Sequence, residues 1–177
     1  MTCDKQMKKK NPVLLMMVFC VFAVGIARAG SGLRDEIVDS FAVKPGGTLN
    51  FDSDLASIEI TTSETDALRA EFVREFKVSN PQQADALRQK LDVQMTKTGN
   101  DVKITVRWTG DRNDRERQKV HVAFRIAMPR KFNLDLRTVG SGRIGDLDGT
   151  VKAVMRGGSI QFRVRPWRND RRGFPVL

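Results

Sequence analysis

The feature that most constrains this chain is a strict two-residue alternation of apolar and polar side chains. From Asp101 to Trp108, Val102, Ile104, Val106 and Trp108 are apolar, with Lys103, Thr105 and Arg107 between them. From Lys119 to Met128, Val120, Val122, Phe124, Ile126 and Met128 form one apolar face. Lys119, His121, Ala123, Arg125 and Ala127 occupy the other. Phe132, Leu134 and Leu136 repeat the pattern. Successive side chains of a strand point to opposite faces, so a period of two describes a sheet with one buried and one wet side, antiparallel or solenoid. The charge-dense stretch Thr109–Gln118 reads as a solvated hairpin loop between the first two runs.

Earlier segments are shorter. Ile37–Val43 and Thr48–Phe51 flank Pro45-Gly46-Gly47, a turn by composition, and Ser57–Thr61 carries Ile58 and Ile60. Asp66–Val78 fits two patterns. As a strand it buries Leu68, Ala70, Phe72, Phe76 and Val78, with Arg74 as the exception; as a helix it aligns Leu68, Phe72, Val73 and Phe76. One helix has clearer signals. Asn80 suits its N-cap and Pro81 its first position. Ala84, Leu87 and Leu91 give it a narrow apolar stripe, which predicts a helix ending near Leu91 and lying across a sheet.

After Thr138 the texture changes. Gly142-Arg143-Ile144-Gly145, Leu147-Asp148-Gly149, Val151-Lys152-Ala153 and Gly157-Gly158-Ser159-Ile160 are short alternating pieces separated by glycine. Glycine permits tight corners where φ is positive, and such repetition suggests rungs of a solenoid. The expected fold is therefore mainly β. An antiparallel, sandwich-like N-terminal part with one short helix passes into Gly-cornered, solenoid-like rungs.

The N-terminus sets the expected compartment. Lys8, Lys9 and Lys10 precede an uncharged apolar run, Val13–Ala27, of 15 residues, too short for the roughly 20 of a spanning helix. Ala27-Arg28-Ala29 before Gly30 is a small-x-small exit, so Ala27, Ala29 and Gly30 form the expected signal-peptidase recognition site. Residues 1–29 are then a signal peptide, residues 30–162 the β domain and residues 163–177 a basic tail. Contact with the membrane is transient, through the signal alone. Cys3 and Cys20 both precede the cut, so the exported chain carries no thiol for a disulfide, a zinc site or a nucleophile. Cys20 follows bulky Phe19 in mid-run, which disfavours lipidation.

Charge is distributed to match. The whole chain has 31 Lys and Arg against 21 Asp and Glu, a net +10. Removing the signal and setting aside the Arg-rich end leaves residues 30–162 nearly neutral. A nucleic-acid partner would require basic residues gathered on a folded face, so it is excluded as the expected partner.

The ordered pieces Phe41-Ala42-Val43-Lys44-Pro45-Gly46-Gly47-Thr48-Leu49, Ala56-Ser57-Ile58-Glu59-Ile60, Val122–Pro129, Asn133-Leu134-Asp135-Leu136-Arg137-Thr138 and Gly140-Ser141-Gly142-Arg143-Ile144 with Leu147-Asp148-Gly149 resemble the exported adhesin-domain family of bacteria. The resemblance covers roughly Ile37 to Phe162. It implies a mostly β fold closing in stacked rungs, and a strand for Asp66–Val78. It supplies no catalytic residues. The family pattern continues with more Gly-spaced rungs, whereas here Arg163 onward brings Pro166-Trp167-Arg168, Arg171-Arg172-Gly173 and Phe174-Pro175. Two expectations follow. Either the gene product is truncated or frame-shifted, leaving an uncapped sheet edge, or a basic tail touches an anionic surface.

Candidate chemical constellations are weak. Gly140-Ser141-Gly142-Arg143-Ile144-Gly145 matches a dinucleotide motif by letter, but a turn and strand pattern follows where a helix is needed. His121 is the only histidine and reads as a surface residue, while Ser141 and Ser159 lie in no nucleophile elbow. Asp111, Asn113, Asp114 and Glu116 form a scrambled calcium loop interrupted by Arg112 and Arg115, and Asp146 with Asp148 is a faint alternative. Glu71 and Glu75 on one strand would stand roughly 13 Å apart, beyond the reach of either glycosidase mechanism. No catalytic, cofactor or metal residue is therefore assigned. The expectation is an exported, non-enzymatic β-protein of the envelope, periplasm or cell surface that binds a protein or polysaccharide. The alternative is a carboxylate-based hydrolase of an envelope or extracellular polymer.

Overall fold

Alternation becomes geometry through eleven strands. The computed structural model describes residues 33–111 and 115–163. The elements are β1 (Arg34–Ala42), β2 (Thr48–Ser53), β3 (Ala56–Ser63), β4 (Ala67–Phe76), α1 (Pro81–Gln89), β5 (Leu91–Thr98), β6 (Asp101–Trp108), β7 (Val120–Pro129), β8 (Asn133–Thr138), β9 (Gly142–Ile144), β10 (Val151–Met155) and β11 (Ile160–Phe162). The mainly β expectation holds. The signal segment 1–29 and the tail beyond Arg163 lie outside the described residues, as do Asn113 and Asp114 of the calcium-like stretch.

Two sheets enclose one core. The first has the strand order β1-β4-β7-β3-β9-β11, the second β10-β8-β2-β6-β5. Antiparallel pairing, expected throughout the N-terminal part, is confined to β1–β4, β4–β7 and β5–β6. β2 pairs in parallel with β6 and β8, and β3 in parallel with β7 and β9. β10 and β11 extend the two sheets, each parallel to its neighbour. The pairs β6–β7, β2–β3, β8–β9 and β10–β11 thus stack in that order, each giving one strand to each sheet. The N-terminal pair β2–β3 sits in the middle of this stack, so a division into sandwich first and rungs afterwards does not hold in space. For the same reason Thr109–Gln118 is not a hairpin. It carries the chain from β6 in the second sheet to β7 in the first.

The apolar faces read from sequence all point inward. Val102, Ile104, Val106, Val122, Phe124, Ile126, Met128, Phe132, Leu134 and Leu136 are buried. Phe124 of the first sheet meets Phe51 of the second edge-on, centroids 5.1 Å apart, and lies 5.0 Å from Phe72 on β4. Each such ring contributes about 1.5–3 kcal/mol through burial. The ambiguous segment is a strand because β4 lies between β1 and β7, where both edges of its backbone find partners.

Asn80 caps α1, its Oδ1 accepting from the Gln83 N–H at 2.9 Å, and Pro81 occupies the first turn. The helix stops at Gln89, two residues short of the expectation, because Leu91 is taken up in pairing with Trp108. It also does not lie across one sheet. It links β4 of the first to β5 of the second, and Ala84 and Leu87 close the core between them.

Glycines turn the corners, but mostly not through positive φ. Of the described glycines after Thr138, only Gly158 has one, at +77°. At Gly140 the constraint is proximity: a Cβ there would stand 2.3 Å from the Ala56 carbonyl oxygen. The neighbouring pair of strands packs backbone against backbone at that corner, and Thr138 reinforces it by donating to the same oxygen at 2.7 Å.

Candidate functional site

The outer face of the first sheet carries the most ordered array of functional groups. Register places Glu71 opposite Arg125, Arg125 opposite Glu59, Glu59 opposite Arg143, and Arg143 opposite Gln161. One row thus crosses β4, β7, β3, β9 and β11 with charges that alternate in sign before ending in an amide. Neighbouring positions are about 4.8 Å apart, the strand spacing. Arg125 Nη1 donates to Glu71 Oε1 at 2.8 Å, and Arg143 Nη1 to Glu59 Oε1 at 3.3 Å. Both arginine side chains remain largely exposed, at 65% and 62%. The ion pairs therefore orient the arginines while leaving donors free for a ligand.

Beside this row lies a trough of about 390 Å³. Its floor is made of short side chains, Ala123, Ser57, Ser141 and Ser159, and the charged row forms its wall. Small outward residues at the same level of successive strands leave a channel running across them. The Ser57 hydroxyl donates to the Val122 carbonyl at 3.3 Å.

The second sheet presents a related cluster. Arg107 donates to both oxygens of Asp52, at 3.1 and 2.5 Å, and lies 3.6 Å from Asp54. The hydrogen bonds from Arg107 hold the Asp52 carboxyl below its ordinary value against partial desolvation. At the other end of the first sheet, burial alone would raise the Asp35 carboxyl, but hydrogen bonds and charge from Arg88 and Arg74 outweigh it and lower it. A general acid for glycoside cleavage requires the opposite shift.

The residues singled out in the sequence fall as follows. His121 is exposed on β7, opposite Glu75. Glu71 and Glu75 share a strand and a face, and each meets a cation, Glu71 with Arg125 and Glu75 with Arg34 at 3.2 Å. Ser141 lies in the trough just before β9, two strands across the sheet from β7, which carries His121. Gly142–Ile144 is a strand between β3 and β11, not the entry to a helix. Asp146 is engaged with Arg130 at 3.0 Å, and Glu116 with Lys90. Among the described residues no group of three or more His, Cys, Asp and Glu converges as a metal site. No helix among them is long and apolar enough to cross a membrane.

Sequence reasoning missed the row itself. Each member has a legible local signature, a charged residue between two inward apolar ones, as in Ile58-Glu59-Ile60 and Phe124-Arg125-Ile126. Their alignment arises from pairing between distant strands, antiparallel from β4 to β7 and parallel from there on, which carries no local signal.

Fold and face together define a two-sheeted β-protein with a regular, charged outer surface. No family model matches the chain, and no curated protein matches it. Among solved structures it is similar to a putative cell adhesion protein from Clostridium sporogenes, with a TM-score of 0.47 and 13% identity over 71% of this chain and 59% of that one. It is also similar to a putative adhesin from Bacteroides fragilis, with a TM-score of 0.36 and 16% identity over 71% and 55%. A putative lipid binding protein from Parabacteroides distasonis gives 0.27 and 12% over 72% and 59%. The chain spans under two thirds of the length of each.

Proposed function

We propose that this chain is an exported envelope or surface protein that acts by binding, presenting the outer face of the first sheet to a polar protein or polysaccharide. The observation that carries this reading is the cross-strand row Glu71–Arg125–Glu59–Arg143, with its exposed arginine side chains beside a hydroxyl-lined trough. Fixed donors and acceptors repeating at the strand spacing suit an extended ligand, which meets many weak contacts in register. They suit turnover poorly. A guanidinium stands between the two row carboxylates, in the space that a sugar and its attacking water would need.

The test is binding of the purified protein to envelope fractions and to a glycan panel. Arg125→Glu combined with Arg143→Glu is expected to lower binding at least tenfold with an unchanged circular dichroism spectrum. Binding by the parent should also weaken as salt is raised. Hydrolysis of an envelope polymer that disappears in Glu59→Gln or Glu71→Gln would instead establish the hydrolase reading. Protease treatment of intact cells separates locations: loss of the protein indicates the outer surface, survival the periplasm.

A further inference from the structure

The two ends of the strand stack are built differently. At one end the outermost strands are β1 and β5. β1 carries Arg34, Asp35, Glu36 and Asp39, β5 carries Asp92 and Lys97, and α1 closes the core between the sheets. Charges on an edge and a covering helix are the usual protection against unwanted strand pairing. At the other end the outermost strands are β10 and β11, Val151-Lys152-Ala153-Val154-Met155 and Ile160-Gln161-Phe162, with one charge between them. The exposed large apolar side chains of the described residues, Val139, Val154 and Phe162, all lie here, the latter two 55% exposed.

The backbone of this edge has a defined parity. Thr150 accepts from Leu134 and Arg156 donates to Thr138, so even-numbered residues of β10 face β8. Val151, Ala153 and Met155 therefore turn their N–H and C=O groups outward. Likewise Ser159 accepts from Gly142 and Arg163 donates to Ile144, so Ile160 and Phe162 face outward from β11.

We propose that this end is a two-fold interface with a second copy of the chain, β10 pairing antiparallel with β10 of the copy and β11 with β11. An axis through Ala153 makes Ala153 a hydrogen-bonded pair with itself and Val151 one with Met155, which matches the outward groups of β10. An axis through Gln161 makes Ile160 and Phe162 the hydrogen-bonded pair, which matches β11. The two axes fall within one residue of each other along the strands: Ala153 pairs with Leu136, whose side chain lies against Gly142, the partner of Ile160, and Gln161 follows Ile160. The side chains agree with this register. Lys152 meets Val154 rather than another lysine, and Gln161 meets Gln161, whose amides can exchange hydrogen bonds. Both sheets become continuous across the copies, and the contact closes on itself as an isologous dimer.

The test uses the full chain with Cys3→Ser and Cys20→Ser, so that Gln161→Cys introduces the sole thiol. The Gln161 pair is of the closer, non-hydrogen-bonded kind, with about 4.5 Å between Cα atoms, inside the range a disulfide spans. Oxidation of Gln161→Cys should yield a covalent dimer, and oxidation of Lys152→Cys should not. By sedimentation the parent chain should be a dimer. Ala153→Pro with Phe162→Lys should halve its mass and leave the circular dichroism spectrum unchanged, since neither position donates within the chain. A parent that stays monomeric overturns the proposal. So does a monomer whose Ala153 and Phe162 amides resist hydrogen exchange, because another segment then covers the edge. A dimer indifferent to the double substitution, or a ladder of higher oligomers, overturns it as well.

Discussion

Nε of Arg74 lies 2.6 Å from Oδ2 of Asp35, its register partner across the β1–β4 pair, with the arginine 8% exposed. Arg88 of α1 reaches the same carboxylate, Nε to Oδ2 at 2.7 Å and Nη2 to Oδ1 at 3.0 Å. Phe76 lies under both guanidinium groups, at 5.7 and 5.0 Å from its ring centre. One carboxylate thus ties the edge strand, its neighbour and the helix together. Arg74, the exception to the alternation of β4, points into the protein because its charge is met there.

Removing the shared acceptor takes away the carboxylate that both arginines engage, one of them buried. Asp35→Asn is expected to cost about 3 kcal/mol, read as a lower midpoint in urea unfolding. Arg74→Met, which removes the buried charge instead, should cost less. Equal losses in the two variants would contradict this account.

The same carboxylate makes stability depend on pH. Asp35 and Asp52 are both held below their ordinary value of 3.8 in the folded chain. A carboxyl depressed by folding contributes stability that is fully present above its unfolded value and lost as pH falls through its folded one. Unfolding free energy should therefore decline below about pH 4, and Asp35→Asn should flatten that decline. An unchanged acid profile in the variant would remove Asp35 from the explanation.

Corner packing separates two glycines that look alike in sequence. A Cβ at Gly140 would meet the Ala56 carbonyl oxygen at 2.3 Å, whereas one at Gly142 finds its nearest neighbours at 3.6 Å. Gly140→Ala should cost about 1–3 kcal/mol through forced backbone displacement, and Gly142→Ala should stay within about 0.5 kcal/mol. Thermal denaturation of the two variants side by side decides it.

Thr138 is buried at that corner, its hydroxyl donating to Ala56 and accepting from the Gly140 N–H at 3.3 Å. Thr138→Val keeps the shape and removes both bonds. A loss of about 1–3 kcal/mol is expected, and Thr138→Ser should recover part of it. A valine variant as stable as the parent would show that the corner is held by packing alone.

The inward faces were legible because alternation is local. Val120 to Met128 specifies which residues face the core whatever β7 pairs with. The cap at Asn80 was legible for the same reason: Pro81 and the polar residue before it act within one turn. The end of α1 was not, since Leu91 fits the helical stripe but is claimed by Trp108 on another strand. Neither was the corner at Thr109–Gln118, because the same loop composition serves a hairpin or a crossing between sheets.

Sequence by itself determined a mainly β chain, its wet and buried faces and its one capped helix, because side-chain direction in a strand and hydrogen bonding in a first turn depend on near neighbours. Tertiary structure alone decided that β2–β3 enters the middle of the stack, that Glu71, Arg125, Glu59 and Arg143 form one row, and that Arg74 is buried. Each of these depends on which distant backbones exchange hydrogen bonds. Every exposed strand edge offers the same donors and acceptors, so that choice is made by the packing of the whole core.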